Sequence, residues 1–254
     1  MKRNGAASAA TENPITEGVI WKQLLLFFFP ILFGTFFQQL YNTADAIVVG
    51  RFVGKEGLAA VGGSTSTVIN LIVNFFVGLS SGSTVIISQY YGAKKARRVS
   101  LAVHTAIAFS IALGAAIMVI GLIGAPFALR AMGTPDDIME HAVIYIRIYF
   151  IGIIANLIYN MGSGILRAIG DSRHPLYFLM AGCGVNIVLD LLFVVYIGMG
   201  AAGAAIATII SQAVSAVLVV MTLVRTEESY KLVFSKIRLN LPMVKKIVQI
   251  GFPA

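Results

Sequence analysis

Two carboxylates stand where carboxylates are costly. Asp190 lies in GVNIVLDLLFVV, residues 184–195, a run of mostly hydrocarbon side chains, and Asp45 in QQLYNTADAIVV, residues 38–49, within a stretch free of other charge from Lys22 to Arg51. Held at the centre of a bilayer helix, an ionised carboxyl costs about 3 kcal/mol on insertion scales, so such a residue pairs with a cation, shares a proton or lines water. No apolar stretch offers Asp190 a Lys or Arg at its own depth. Two desolvated acids without a fixed cation would capture a proton, because burial and like charge both penalise the doubly ionised state. A sodium ion is the other candidate: hard cations take oxygen ligands, and Asp45, Asn186, Asp190 and Thr208 would supply carboxylate, amide and hydroxyl oxygens from three helices. This chemistry requires Asp45 and Asp190 to meet in space, which is an expectation about tertiary structure.

The elements that must position these groups follow from composition. The chain is 58% hydrophobic and only 12% charged, about half the charged fraction of a soluble domain, and its mean hydropathy is +0.87. Charged residues are absent between Lys22 and Asp45, Glu56 and Lys94, Arg98 and Arg130, Arg147 and Arg167, and Asp190 and Arg225. Since about 20 apolar residues cross the hydrocarbon core, the gaps predict six transmembrane helices near 22–49, 58–88, 99–124, 138–165, 175–197 and 202–224. The fold class is therefore an all-α integral membrane protein; the alternating ten-residue segments of a membrane β-barrel are not seen. The domain reading is a disordered polar leader over 1–16, a six-helix bundle over 17–224, a cytoplasmic linker over 225–241 and the start of a further unit over 242–254. The leader has no signal-peptide cleavage pattern and is read as part of the mature chain.

Of the 19 Lys and Arg, 15 fall on one side of these helices, Arg51, Lys55 and Arg130 on the other, and Arg147 within a span. The positive-inside rule then places both ends and the 225–241 loop in the cytoplasm of a plasma (inner) membrane protein. The net charge of +8 is spread over loops facing anionic lipid, so lipid rather than nucleic acid is the expected partner. Cys183 is the single cysteine, which excludes a disulfide framework and a Cys-based metal site.

Polar residues within the spans recur at helical spacing. Gln38, Tyr41, Asn42 and Asp45 form one stripe; Thr67, Asn70 and Asn74, then Asn156, Asn160 and Ser163, then Thr208, Ser211, Gln212 and Ser215 form others, and Asn186 and Asp190 share a face. Such stripes turn away from lipid. The second-span stripe and Ser211 and Ser215 are read as packing contacts between helices. The third span, with His104, has no such stripe and is expected at the periphery. Pro30 removes a backbone hydrogen bond inside the first span, as a hinge or as a packing proline. GLSSG, residues 78–82, fits G-x-S-x-G, but it lies on an apolar helix rather than at a strand–helix junction, and His104 and His141 fall near opposite faces, so the chain is not read as an enzyme.

At the C-terminus KKIVQIGFPA aligns with KQLLLFFFPI of the first span, which predicts a parallel repeat of the six-helix unit. PILFGTFFQQLYNTADAIVVGRFVGKEGLAAVG (30–62), GSTVIISQYYGAKK (82–95), RAIGDSRHP (167–175) and GVNIVLDLLFVVYIGMGAAGAAIAT (184–208) together resemble the N-terminal half of a multidrug and toxic compound extrusion (MATE) transporter, in the prokaryotic branch that includes the DNA-damage-inducible type. The resemblance implies one lobe of a twelve-helix, pseudo-twofold transporter. It further implies efflux of bulky cationic or amphipathic drugs in antiport with H+ or Na+, with no cofactor beyond that coupling ion. Matched onto this chain, the cation site is Asp45, Asn186, Asp190 and Thr208, the bend is Pro30, and Gln38, Tyr41 and Asn160 are cavity residues. The implied partners are drug-like small molecules and a missing C-terminal lobe, supplied by the same full-length chain or by a second copy. A lipid-linked oligosaccharide flippase of the same superfamily is the alternative; it would want more cations along the cavity, for which Arg147 is the only candidate inside a span.

Overall fold

The computed structural model describes residues 20–253, so the expected 1–16 leader lies outside the described residues. The chain folds as α1 (Ile20–Phe52), α2 (Lys55–Gly62), α3 (Ser64–Gly92), α4 (Ala96–Ala131), α5 (Asp136–Ala168), α6 (Arg173–Asp190), α7 (Gly200–Arg225) and α8 (Leu241–Gly251). A π-helical segment, Leu191–Tyr196, continues α6, and a short 3-10 turn spans Phe234–Lys236. Six stretches among the described residues are long and apolar enough to cross a membrane: Leu24–Phe52, Lys55–Gly92, Ala96–Ala131, Asp136–Ala168, Arg173–Tyr196 and Gly200–Arg225. The protein is thus an all-helical, multi-pass membrane protein. The helices overrun the predicted spans at most ends because an uncharged gap sets only the minimum length of a span.

Two predicted spans are not uniform helices. Gly62 and Gly63 split the second into α2 and α3, where the Gly63 N–H closes back on the Ala59 carbonyl at 3.0 Å. The fifth changes to π-helix immediately after Asp190, with the Ile197 N–H reaching the Leu192 carbonyl at 2.9 Å.

α5 is the central post. It packs on α7, α4 and α3, and α7 approaches closely because a Cβ at Gly152 or Gly162 would collide with Ile209 or Val219. At the end expected in the cytoplasm, Val99, Val103, Ile165, Leu223, Leu232, Met243 and Ile247 form one core. The predicted linker therefore contributes a buried residue, Leu232. His104 secures it: Nδ1 donates to the Ser100 carbonyl at 2.6 Å, and Nε2 accepts the Val233 N–H at 3.0 Å. α8 is capped by Asn240, whose side chain accepts the Met243 N–H at 3.0 Å, and it lies against α3 where Gly82 and Gly251 leave room for backbone contact.

α4 corrects the sequence expectation. It is not peripheral: His104, Thr105, Ala106, Ile107 and Gly114 are among its buried residues, and it packs on α3, α5 and α8. Small and aliphatic side chains do this by shape, without the polar stripe that the sequence reading relied on. Pro126 sits inside α4, where its missing N–H frees the carbonyl four residues earlier. That carbonyl belongs to Leu122, and Arg147 Nε of α5 donates to it at 3.3 Å.

Candidate functional site

Three helices carry the acid pair and its neighbours. α1 presents Asp45, α6 presents Asn186 and Asp190 one turn apart, and α7 presents Thr208; relative exposures are 6%, 0%, 0% and 3%. α1 and α7 both lean on α6, which brings the two carboxylates together. Thr208 Oγ1 donates to Asp45 Oδ2 at 3.3 Å, and Asp190 and Asn186 are the other polar side chains close to the Asp45 carboxyl. No Lys, Arg or His lies within 4.0 Å of either acid among the described residues.

Beyond the pair, Val48, Val49, Tyr145, Val194, Ala201, Ala204 and Ala205 form an apolar seal. Removal from water inside such a seal raises the cost of keeping two negative charges side by side. Asp45 Oδ1, both Asp190 carboxyl oxygens, Asn186 Oδ1 and Nδ2 and the Tyr41 hydroxyl are buried without a hydrogen-bond partner. Buried polar atoms in native proteins are normally satisfied. A proton shared between the carboxyls, or a small cation held by their oxygens with Asn186 Oδ1 and Thr208 Oγ1, fits this donor and acceptor set. No cluster of three or more His, Cys, Asp or Glu side chains occurs among the described residues, and the surroundings suit a hard monovalent cation better than a transition metal.

Asp45 closes one end of a cavity of about 540 Å3, within the range of drug-sized sites. Gln38, Tyr41, Asn42 and Asp45 of α1 line it, as do Pro30 at the far end of α1, Asn160 of α5 and Thr208 of α7. Asn186 and Asp190 sit behind this wall, since neither is among the lining residues. Asn160 is set in place from two directions. Its Nδ2 donates to Asn156 Oδ1 at 2.9 Å, and its carbonyl accepts from Ser80 at 2.8 Å. The GLSSG segment thus has a packing role, with Thr84 adding a bond to the Gly164 carbonyl at 3.1 Å.

Several placements differ from expectation. Arg147 is exposed and caps Leu122 rather than lining the cavity, whereas Arg167, assigned to a loop by charge counting, does line it. Thr67, Asn70 and Asn74 are exposed on α3 instead of being packed, with Asn70 at the cavity. Ser215 does bond across helices, to the Phe178 carbonyl at 3.1 Å. Gln212 of the predicted sixth-span stripe also lines the cavity, and so do Tyr145 and Tyr149, which escaped the sequence reading; Tyr145, Tyr149, Asn156, Asn160, Ser163 and Arg167 share one helical face, and that spacing was the available signal.

A membrane bundle with a polar cavity sealed at one end by unpaired acids has the form of a solute-transport lobe. The MatE profile matches residues 30–192, and the chain belongs to that family. It is 34% identical over 246 residues to the probable multidrug resistance protein YoeA of Bacillus subtilis (strain 168), an alignment covering 92% of this chain and 52% of that protein. A solved chain described as the outward-facing conformation of a multidrug resistance MATE family transporter superposes with a TM-score of 0.87 at 28% identity, over 97% of this chain and 55% of that one. The inward-facing conformation superposes with a TM-score of 0.78 at 31% identity, over 85% and 49%. The chain therefore spans about half the length of the relatives it matches, and its fold is that of one lobe.

Proposed function

We propose that this chain is the cation-coupled lobe of a multidrug efflux transporter. It would export bulky cationic or amphipathic compounds in exchange for inward H+ or Na+ by alternating access across the plasma membrane, with both ends cytoplasmic. One observation carries the proposal: Asp45 and Asp190, from different helices, converge without a cationic partner at the sealed end of the cavity. The naming of YoeA as a probable multidrug resistance protein and the likeness to both outward- and inward-facing chains support it.

In this reading the cation neutralises the acid pair, which releases the constraint that α1 and α6 place on each other. α1 yields near Pro30. Among the described residues the carbonyl that Pro30 frees, that of Leu26, receives no side-chain donor of the kind Arg147 gives Leu122, so the helix is weaker there. Movement of α1 changes the wall formed by Gln38, Tyr41 and Asn42, and drug affinity falls as cation affinity is satisfied. The coupling is reciprocal, since drug and cation each weaken the other by the same free energy. Gln38, Tyr41 and Asn160 contact substrate, and a second lobe, from the same full-length chain or a second copy, completes the cavity. No reacting group is required of the lobe, and its role is that of a transporter rather than an enzyme.

The test is cation-driven efflux in proteoliposomes holding the complete two-lobe protein. Asp190→Asn is expected to uncouple efflux from the cation gradient; full coupling in that variant removes the proposed role. Export of lipid-linked oligosaccharide is the second reading, and the placement of Arg167 in the cavity wall is the observation in its favour. One lining cation among the described residues, with Asp45 at the opposite end, favours drug-sized compounds instead, and a binding screen of lipid-linked sugars against organic cations separates the two.

A further inference from the structure

The α5 stripe that walls the cavity runs from Tyr145, beside the acid pair, to Arg167, about 33 Å of helix rise. The cavity is therefore dipolar, with the Asp45 carboxyl at one end, Asp190 behind it, and a guanidinium at the other. Arg167 differs from most of the cations at its end of the bundle. Lys94, Lys95, Arg97, Arg98, Arg173 and Arg225 are exposed, whereas Arg167 is half-buried in the cavity wall. The nearby acids are engaged elsewhere: Asp171 pairs with His174, and Glu227 with Lys231 at 2.7 Å. No carboxylate lies within 4.0 Å of Arg167 among the described residues.

Its neighbours in the wall are Tyr159, Asn160 and Ser172. The Tyr159 hydroxyl donates to the Pro175 carbonyl at 3.1 Å, tying α5 to the start of α6 and fixing the wall on which the guanidinium rests. A guanidinium offers five donors in a planar fork matched to carboxylate and phosphate. Half-buried without an anion, it gains from one that arrives.

We propose that Arg167 is an anion-recognising subsite at the cytoplasmic end of the cavity, engaging the carboxylate or phosphate of an amphipathic molecule as it enters. This rests on the efflux reading and narrows its substrate class to compounds that carry an anionic group on an apolar body, zwitterions included. The span between the two charged ends exceeds a drug-sized molecule, so an anion on Arg167 does not compete directly with the cation at Asp45 and Asp190. A permanent cation gains nothing at Arg167 and is met there by like charge.

The test uses the complete two-lobe protein in proteoliposomes and three fluorescent substrates: a zwitterionic quinolone carboxylic acid, its methyl ester, and ethidium. The ester keeps the body and removes the anion. Arg167→Gln is expected to raise KM for the acid about tenfold, the loss of one charge-assisted contact, and to leave KM for the ester and ethidium within about twofold. Arg167→Lys should recover part of the acid's advantage, and matched thermal unfolding of the three proteins excludes a folding defect. A second arm compares ethidium efflux in phosphatidylcholine with and without phosphatidylglycerol. Dependence on the anionic lipid that disappears in Arg167→Gln identifies a net-anionic lipid headgroup as the anion. If neither the acid–ester difference nor the lipid dependence responds to Arg167→Gln, the subsite is overturned. If the wild-type protein moves none of the three compounds, the efflux reading fails instead.

Discussion

Gly182 of α6 is a sharp test of how the site is held. A Cβ there would fall inside van der Waals contact of Ser215 Oγ on α7, while the Ser211 carbonyl is 3.3 Å and Ser215 Cβ 3.7 Å away. Gly182→Ala must therefore expel the Ser215 hydroxyl or push α6 off α7. The first course loses the bond from Ser215 to the Phe178 carbonyl at 3.1 Å, worth about 1 kcal/mol. The second strains a close-packed crossing, at about 1–3 kcal/mol. It also moves Asn186 and Asp190, one and two turns further along α6, relative to Thr208. The expected cost is about 1–3 kcal/mol, with weakened cation coupling. Ser215→Ala removes the colliding oxygen and leaves the Ser211 carbonyl at 3.3 Å as the nearest contact, so the double variant should regain most of the loss, a coupling energy of about 1–2 kcal/mol. Buried Cys183, adjacent to Gly182, makes thermal unfolding with a thiol-reactive dye a direct reporter of this crossing. A Gly182→Ala protein with unchanged stability and coupling, or a defect that Ser215→Ala does not relieve, would refute the reasoning.

Other consequences can be checked in parallel. Arg147→Leu should destabilise by about 1–3 kcal/mol by orphaning the Leu122 carbonyl, and the effect should shrink when Pro126→Ala restores the helical donor; equal losses in both backgrounds would show that the Arg147 contact is incidental. Pro30→Ala returns a backbone hydrogen bond to α1, so thermal stability should rise while cation-driven efflux slows; a faster variant would contradict a hinge there. His104→Leu leaves the half-buried Val233 N–H without its acceptor, at about 1 kcal/mol, and should speed tryptic cleavage at Lys231, which protection equal to wild type would disprove.

Much of this was legible because a membrane exaggerates simple signals. Five uncharged gaps mark most of the spans, and Asp190 stands out since little else in its run is polar. Spacing also put Gln38, Tyr41, Asn42 and Asp45 on one face, and all four line the cavity. What spacing could not show is which faces meet. The convergence of Asp45 with Asp190 depends on α1 and α7 flanking α6, and the role of Arg147 depends on its lying opposite a carbonyl 25 residues earlier in the chain. The π-helical turn after Asp190 has no compositional mark, being Leu, Leu, Phe, Val, Val and Tyr. Tyr145 and Tyr149 were hidden because an aromatic ring counts as apolar until its hydroxyl is seen to face a cavity. Arg167 was misplaced because charge counting assigns a side of the membrane and not a depth.

In the proposed mechanism the two acids hold one exchangeable cation between them. Its most direct test is cation binding to the purified two-lobe protein, by calorimetry with Na+ and by proton release on addition of drug, in the wild type and in Asp45→Asn, Asp190→Asn and the double variant. The mechanism predicts that either single substitution abolishes the cation bound at this site, and that the double variant loses nothing more. Undiminished binding in both single variants, or losses that add independently, would contradict it.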